Sequence, residues 1–458
     1  MVETEGIWSG KFRSLTIGII LVVMAVAFEG LAVTTVAPKI ANDLHGIELY
    51  GWIFSGYLLA QILGTMVVGQ QIDKRGLAKP FTISLLLFII GIVAGAIASN
   101  MTVLILARAL QGFGSGALVT CVYTSISVSY PDRLRSRMLA VFSSAYVLPA
   151  LVGPYVAGVV AQHISWRFVF WGILPFLFLA AVLTLPVFLR LTGTGNQQST
   201  GNARAWLALA LTIGTGLLLT GLGMLPQIVG IVLSAVGLLI MVIPLLRLLP
   251  KGTFRARSGL PAILASRGLF MACYVAMETY LVLALTEVKG YATDMAGLIV
   301  ASAALSWSAA AAIQARIDAR DQGKGRRTRV LVGVLLMLVG MSINVWVPSI
   351  NLFLALAGQI IAGFGIGLAH PTSGAIAFRY AEPGSEGEVS ASLQFADAFT
   401  PGVVVGLGGA ILAIFHSLGT SQEISISAVL GLQVVIILLS LVAAFRLPRG
   451  SNRSPSAS

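Results

Sequence analysis

The chain has 458 residues, 57% of them hydrophobic and 10% charged, with a formal net charge of +12. A soluble fold of this size could not cover its surface with so few charges, since an ordinary soluble domain carries about 25%. The basic excess would suggest nucleic acid in a soluble protein; in a lipid solvent it reads as Lys and Arg held at the cytoplasmic face.

Apolar runs of the ~20 residues that a spanning helix needs recur along the whole chain. The first is uncharged from Ser14 to Ala37 except for Glu29, in the stretch "VAFEGLAVTTVAP". It is too long for a signal peptide and is read as a retained helix. Fourteen spans are expected, starting near Ser14, Leu49, Pro80, Thr102, Ser136, Arg167, Arg204, Ile228, Leu260, Met295, Thr328, Leu352, Val389 and Ile424. Cys121 and Cys273 both fall inside apolar runs, so no disulfide framework is expected.

An even number of spans puts both termini on one side. With the N-terminus cytoplasmic, Lys39, Arg167 and Lys289 fall in outside loops, and Arg108 and Arg267 inside helices. The other 24 of the 29 basic residues are then cytoplasmic. The opposite orientation violates the positive-inside rule. The segments "PDRLRSR" and "RDQGKGRRTR" supply much of this charge, and the tail 448–458 reads as disordered.

Features of the first half return in the second. "GFGSG" at Gly112–Gly116 reappears as "GFGIG" at Gly363–Gly367, an offset of 251. Glu29 matches Glu278 at 249, Asp73 matches Asp318 at 245, and Pro154 matches Pro401 at 247. Four matches in the same order indicate a duplicated six-helix unit, a design from which many transporters are built. The expected organisation is an N-terminal six-helix bundle over 1–192, two inserted helices over 203–251 and a C-terminal six-helix bundle over 258–447.

These motifs resemble the major facilitator superfamily, and within it the fourteen-helix drug:proton antiporter family. "GQQIDKRGLAKP" resembles the superfamily's loop motif: Gly69, Asp73, Lys74 and Gly76 fit, while Leu77 and Ala78 replace the usual basic pair. "RALQG" matches the buried-arginine motif at Arg108. In "PALVGPYVAG", Gly153, Pro154 and Gly158 fit the antiporter motif, and Pro149 and Ala157 depart from it. "SWRFVF" resembles the start of the family's sixth helix, and "FEGLAVTTVAP" its first-helix pattern, with Glu for the more usual Asp. The resemblance implies an all-α polytopic membrane protein with the major facilitator fold, two six-helix bundles plus two inserted helices.

Three carboxylates lie well inside spans: Glu29, Glu278 and Asp397. Glu29 stands about fifteen residues into its helix, roughly 22 Å along the axis. An ionised side chain at the bilayer centre costs at least ~2.5–3.5 kcal/mol, so such acids mark functional sites by default. A carboxyl facing a cavity can load a proton on one side and release it on the other as its hydration alternates. Asp397 lies in "QFADAFTPG", one turn after Gln394 on the same face. Arg108 is read as the one basic residue deep in a span; its repeat counterpart is Gln359. In the fold that the resemblance implies, spans 1 and 4 line the cavity, so Glu29 is the expected partner of Arg108, which would tune proton release.

Gly153, Pro154 and Gly158 are expected to do conformational work, allowing close helix approach and a kink. Gly69, Asp73, Lys74, Arg75 and Gly76 form the expected cytoplasmic gate, with Asp73 bonding free N–H groups at a helix N-terminus. Tyr57, Gln61, Tyr123, Tyr146, Trp171, Tyr274, Trp307, Gln359, Gln394 and Phe395 have the mixed character of a cavity lining. His370, before Pro371, is read as structural rather than as a proton carrier. No metal-ligand cluster or catalytic triad is visible, and no "GxxxxGK[ST]" for ATP occurs. The expectation is therefore a non-enzyme without cofactors: a monomeric, proton-driven exporter of a small amphipathic compound, cationic substrates included, in the cell membrane with both termini cytoplasmic. Its rivals are an exporter of an endogenous lipid or metabolite, a proton symporter, and a sensor that has lost transport.

Overall fold

The computed structural model describes residues 6–10, 12–190, 203–346, 349–380 and 386–448. Sixteen α-helices are described, and no strands among these residues. In chain order they are α1 (Arg13–Asp43), α2 (Tyr50–Arg75), α3 (Ala78–Ala96), α4 (Met101–Ser129), α5 (Asp132–Ser144), α6 (Val147–His163), α7 (Arg167–Trp171), α8 (Leu174–Arg190), α9 (Ala203–Gly223) and α10 (Ile228–Leu248). There follow α11 (Leu260–Leu283), α12 (Thr293–Asp321), α13 (Arg326–Ile343), α14 (Leu352–Ala377), α15 (Glu386–Ser417) and α16 (Gln422–Phe445). A single π-turn, Ala284–Val288, prolongs α11. The tail read as disordered lies, but for its first residue, outside the described residues.

Twelve described helical segments are long and apolar enough to cross a membrane. Two of the fourteen expected spans are not among them, for physical reasons. The run expected from Ser136 is broken by a turn at Ala145–Tyr146 into α5 and the shorter α6. The eleventh expected span is α13, whose first turn brings Arg326, Arg327 and Arg329 into an 18-residue helix. The sixth expected span is also interrupted, at Gly172–Ile173 between α7 and α8.

The chain divides into two compact units. The first is Met1–Leu248 with Val282–Ala301 and Val405–Gln422; the second is Leu249–Leu281, Ser302–Val404 and Glu423–Ser458. In the first unit, α2 packs on α4, α3 on α4, α1 on α6 and α8, and α9 on α10. In the second, α13 packs on α14.

The two GFG motifs pack alike, one in each unit. A Cβ at Gly112 or Gly116 of α4 would strike the carbonyl of Tyr57 or Gln61 on α2, so those backbones touch. In the second unit Gly363 and Gly367 of α14 stand the same way against the carbonyls of Ala303 and Trp307 on α12. Each GFG helix also starts alike: Asn100 accepts from the Val103 amide at 2.9 Å, and Asn351 from the Leu354 amide at 2.9 Å. Asparagine is a strong N-cap because its side chain satisfies an orphan amide of the first turn.

Candidate functional site

In the first unit, α1 carries Glu29 fully buried, opposite Arg108 of α4. The Arg108 guanidinium bonds Glu29 Oε1 through Nη1. It also donates from Nε to the Ile53 carbonyl at 3.0 Å and from Nη1 to Gln111 Oε1 at 2.7 Å. Its carbon lies 4.3 Å from the centre of the Tyr57 ring, within cation–π range. Gln111, in turn, donates to the Gly91 carbonyl at 2.7 Å, which locks the amide that steadies Arg108. The partner oxygen Glu29 Oε2 is buried with no hydrogen-bond partner among the described residues. The site thus holds one carboxylate oxygen in an ion pair and leaves the other with an open lone pair.

Glu29 and Arg108, expected to meet, do meet. Gln111 was not singled out by the sequence reading, although it sits inside "RALQG", three residues after the arginine and so on its face.

The second unit holds a different constellation. Glu278 is buried in α11, with Tyr274 one turn before it. Gln359, where the repeat puts the counterpart of Arg108, is buried with its Nε2 unpartnered among the described residues. The charged partner in this unit is instead Arg267, also on α11 and 6% exposed. Arg108 is therefore not the one buried arginine. Arg267 forms a two-pronged pair with Asp397 of α15, at 2.8 Å from Nε to Oδ1 and 2.7 Å from Nη2 to Oδ2. It further donates to the His370 carbonyl at 2.8 Å and to Ser373 Oγ at 3.0 Å, both on α14. Gln394, expected beside Asp397, bonds Ser390 at 3.4 Å.

The aromatic residues assemble locally. Tyr123 and Tyr146 flank Phe142, at 4.6 and 5.6 Å between ring centres. Tyr274 meets Trp307 at 5.2 Å, and Trp307 meets His370 at 5.6 Å. Phe395 stacks on Phe399 at 5.2 Å. Trp171 is 38% exposed and Gln61 half-buried.

Of the expected gating residues, Gly158 and Pro154 on α6 abut the start of α12. A Cβ at Gly158 would lie 2.8 Å from Asp294 Cα and from the Thr293 carbonyl, and one at Gly297 would strike the Pro154 carbonyl. A Cβ at Gly153 would instead lie 3.2 Å from the Phe28 ring. Gly153 lines an apolar recess of about 360 Å³ between α1, α6 and α8, which has no charged group in its wall. Gly76 ends α2 at a φ of 71°, a left-handed conformation that glycine adopts without strain. Gly69, Lys74 and Arg75 lie in the last two turns of α2. The Asp73 side chain lies outside the described residues. Its repeat counterpart, Asp318 at the end of α12, is held by Arg326 at 2.5 Å and by Arg329. Asp321 pairs with Arg329 at 2.6 Å and accepts from the amides of Gly323 and Gly325. At the C-terminal end of α1, Trp166 of the "SWRFVF" stretch donates to Asp43 at 2.9 Å.

Among curated proteins, the chain is 28% identical over 174 residues to multidrug resistance protein 3 of Bacillus subtilis (strain 168), covering 38% of this chain and 34% of that protein. It is 27% identical over 172 residues to the multidrug efflux pump SdrM of Staphylococcus aureus (strain N315), 38% of each chain. The chain thus spans about a third of the length of the curated relatives it matches. Among solved structures, the human organic anion transporter MFSD10 (TETRAN) matches with a TM-score of 0.63 at 14% identity, over 95% of this chain and 99% of that one. A peptide transporter POT in complex with sulfate matches with a TM-score of 0.66 at 17% identity, over 94% of each. At such identities the likeness establishes a membrane-transporter fold. The family model that matches residues 16–404 is that of the Major Facilitator Superfamily, and the chain belongs to that superfamily.

Proposed function

We propose that this protein is a proton-coupled exporter of small amphipathic molecules, of the fourteen-helix drug:proton antiporter type, working by alternating access. Counting α5–α6 as one span, α7–α8 as one and α13 as another brings the total to fourteen. Both termini are then cytoplasmic, with the arginine-rich turn between α12 and α13 on the same side.

The observation that carries this reading is Glu29: a buried carboxylate in a membrane-spanning helix, paired to Arg108 through one oxygen and, among the described residues, unpartnered at the other. Removing charge from water is costly, so this oxygen is suited to receive a proton or the cationic end of a substrate. Competition of the two for one carboxylate is a minimal mechanism of antiport. Glu278 supplies a second intramembrane acid at the matching depth of the repeat. The named relatives, a multidrug resistance protein and a multidrug efflux pump, support small molecules as the substrate class.

The test is direction. The purified full chain is reconstituted in liposomes with a panel of lipophilic cations and neutral amphiphiles. An imposed proton gradient should drive a compound the opposite way, and a compound gradient should drive protons. Movement of both in one direction identifies a symporter. Absence of proton-linked flux for every compound favours the sensor.

A further inference from the structure

On α11, Arg267, Tyr274 and Glu278 share one face, since steps of seven and eleven residues return to nearly the same angle at 3.6 residues per turn. Arg267 and Glu278 are about 16 Å apart along that axis. The stripe ends at a cluster in which every donor of Arg267 is placed. Its Nε serves Asp397 Oδ1, Nη1 serves the His370 carbonyl and Ser373 Oγ, and Nη2 serves Asp397 Oδ2 and His370 Nε2 at 2.6 Å. An arginine has five N–H groups and no acceptor. The contact at 2.6 Å therefore uses a lone pair on His370 Nε2. The ring is neutral in this arrangement, with its hydrogen on Nδ1.

That same Nε2 lies 3.3 Å from Asp397 Oδ2. A proton taken from water onto the Nε2 lone pair turns this nitrogen into a donor. It can no longer accept from Arg267, and its N–H has Asp397 Oδ2 within reach. Arg267 retains its other four bonds, so the exchange is local. The net charge of the three side chains changes from zero to +1. His370 and Asp397 keep 26% and 24% of their side-chain surface accessible, so the pair is not sealed on every side. The charged groups facing the ring among the described residues are Arg267 from α11 and Asp397 from α15. From α12 it meets the indole of Trp307, backed by Tyr274, and on α14 itself Ser373 lies one turn on.

We propose that His370, Asp397 and Arg267 form a second proton-binding site, with His370 Nε2 as the acceptor and a change of its partner from Arg267 to Asp397 as the result. The inference deepens the exporter reading and rests on it for a role in transport, but the site can be tested without any substrate. An imidazolium beside an indole quenches its fluorescence, and Trp307 is in place to report it.

The experiment follows tryptophan emission of the purified full chain from about pH 5 to pH 8.5, the range in which histidine changes charge. The expected result is one quenching step on acidification that is lost in Trp307→Phe and in His370→Gln. Should His370→Gln fail to fold, carbethoxylation of His370 in the wild-type chain, read by peptide mass spectrometry across the same range, reports the neutral ring directly. It should fall in parallel with the emission. Absence of the step, or a step unchanged in His370→Gln, overturns the proposal, as does carbethoxylation of His370 that is independent of pH. In liposomes, His370→Gln should flatten the pH dependence of efflux, which a purely structural residue would not do. A titrating His370 in a protein that moves no compound would keep the site and remove the exporter reading.

Discussion

Arg267 and Asp397 face each other across α11 and α15 in a parallel two-pronged pair, Nε on Oδ1 at 2.8 Å and Nη2 on Oδ2 at 2.7 Å. The geometry matches the planar fork of guanidinium to the planar carboxylate, which lysine cannot reproduce. The first unit builds its pair differently, with Arg108 reaching one oxygen of Glu29 and an amide beside it. Both pairs are neutral when ionised and carry +1 once a proton is added.

Breaking the second-unit pair from one side should be costly. Asp397→Ala leaves the Arg267 charge buried without its anion, a loss of about 3–5 kcal/mol for pairs of this kind. Arg267→Ala combined with Asp397→Ala should cost less than the sum of the two single changes, because the pair is coupled. Thermal unfolding of the four proteins in one detergent measures the coupling. Strict additivity would mean that the pair is not a unit in solution.

Glu29→Gln keeps the shape and an acceptor for Arg108 while removing the titratable group. The variant should fold and insert normally, and proton-coupled export should be lost. Proton flux driven by a compound gradient in liposomes provides the check. Export at the full rate would assign proton coupling to another carboxylate.

At Gly158, a Cβ would meet backbone atoms of Thr293 and Asp294 at 2.8 Å, and backbone cannot swing aside as a side chain can. Gly158→Ala should therefore push α6 from α12 at a cost of about 1–3 kcal/mol, the usual range for overpacking. Transport should fall while the amount of protein in the membrane stays unchanged. Gly10→Ala, where nothing lies within 4 Å, is the matched control.

The turn between α12 and α13 is a network rather than a single bridge, with Asp318 and Asp321 shared by Arg326 and Arg329. These groups are partly exposed, so Asp318→Asn should cost about 1 kcal/mol, near the upper end for an exposed pair. The loss should shrink at high salt, because screening already weakens the wild-type network. Unfolding midpoints at two salt concentrations decide this; a loss independent of salt would point to packing instead.

What could be read in the sequence was whatever local pattern encodes. Glu29 stood out as a lone charge in an apolar run, and the family resemblance, which puts spans 1 and 4 along one cavity, suggested Arg108 as partner. Helix starts fell within a few residues because charges and Gly/Pro breaks mark them. The break at Ala145–Tyr146 was invisible because the hydropathy continues through it. Arg267 lies two turns from the start of its helix and resembles an interfacial charge. Its partners are 103 and 130 residues away, joined by helix packing that no local period records. His370 was set aside because a lone histidine near the end of its span reads as structural. The caps Asn100 and Asn351, at the same offset as the GFG motifs, were legible and were missed.

The open oxygen of Glu29 also gives the protein a built-in optical label. A proton on that oxygen leaves the carbonyl on Oε1, where the Arg108 guanidinium donates to it, and a charge-assisted hydrogen bond lowers the C=O stretch below that of a free carboxyl. Infrared difference spectra could follow the charge of this one side chain through a transport cycle, with Glu29→Gln as the assignment control and no reporter group added.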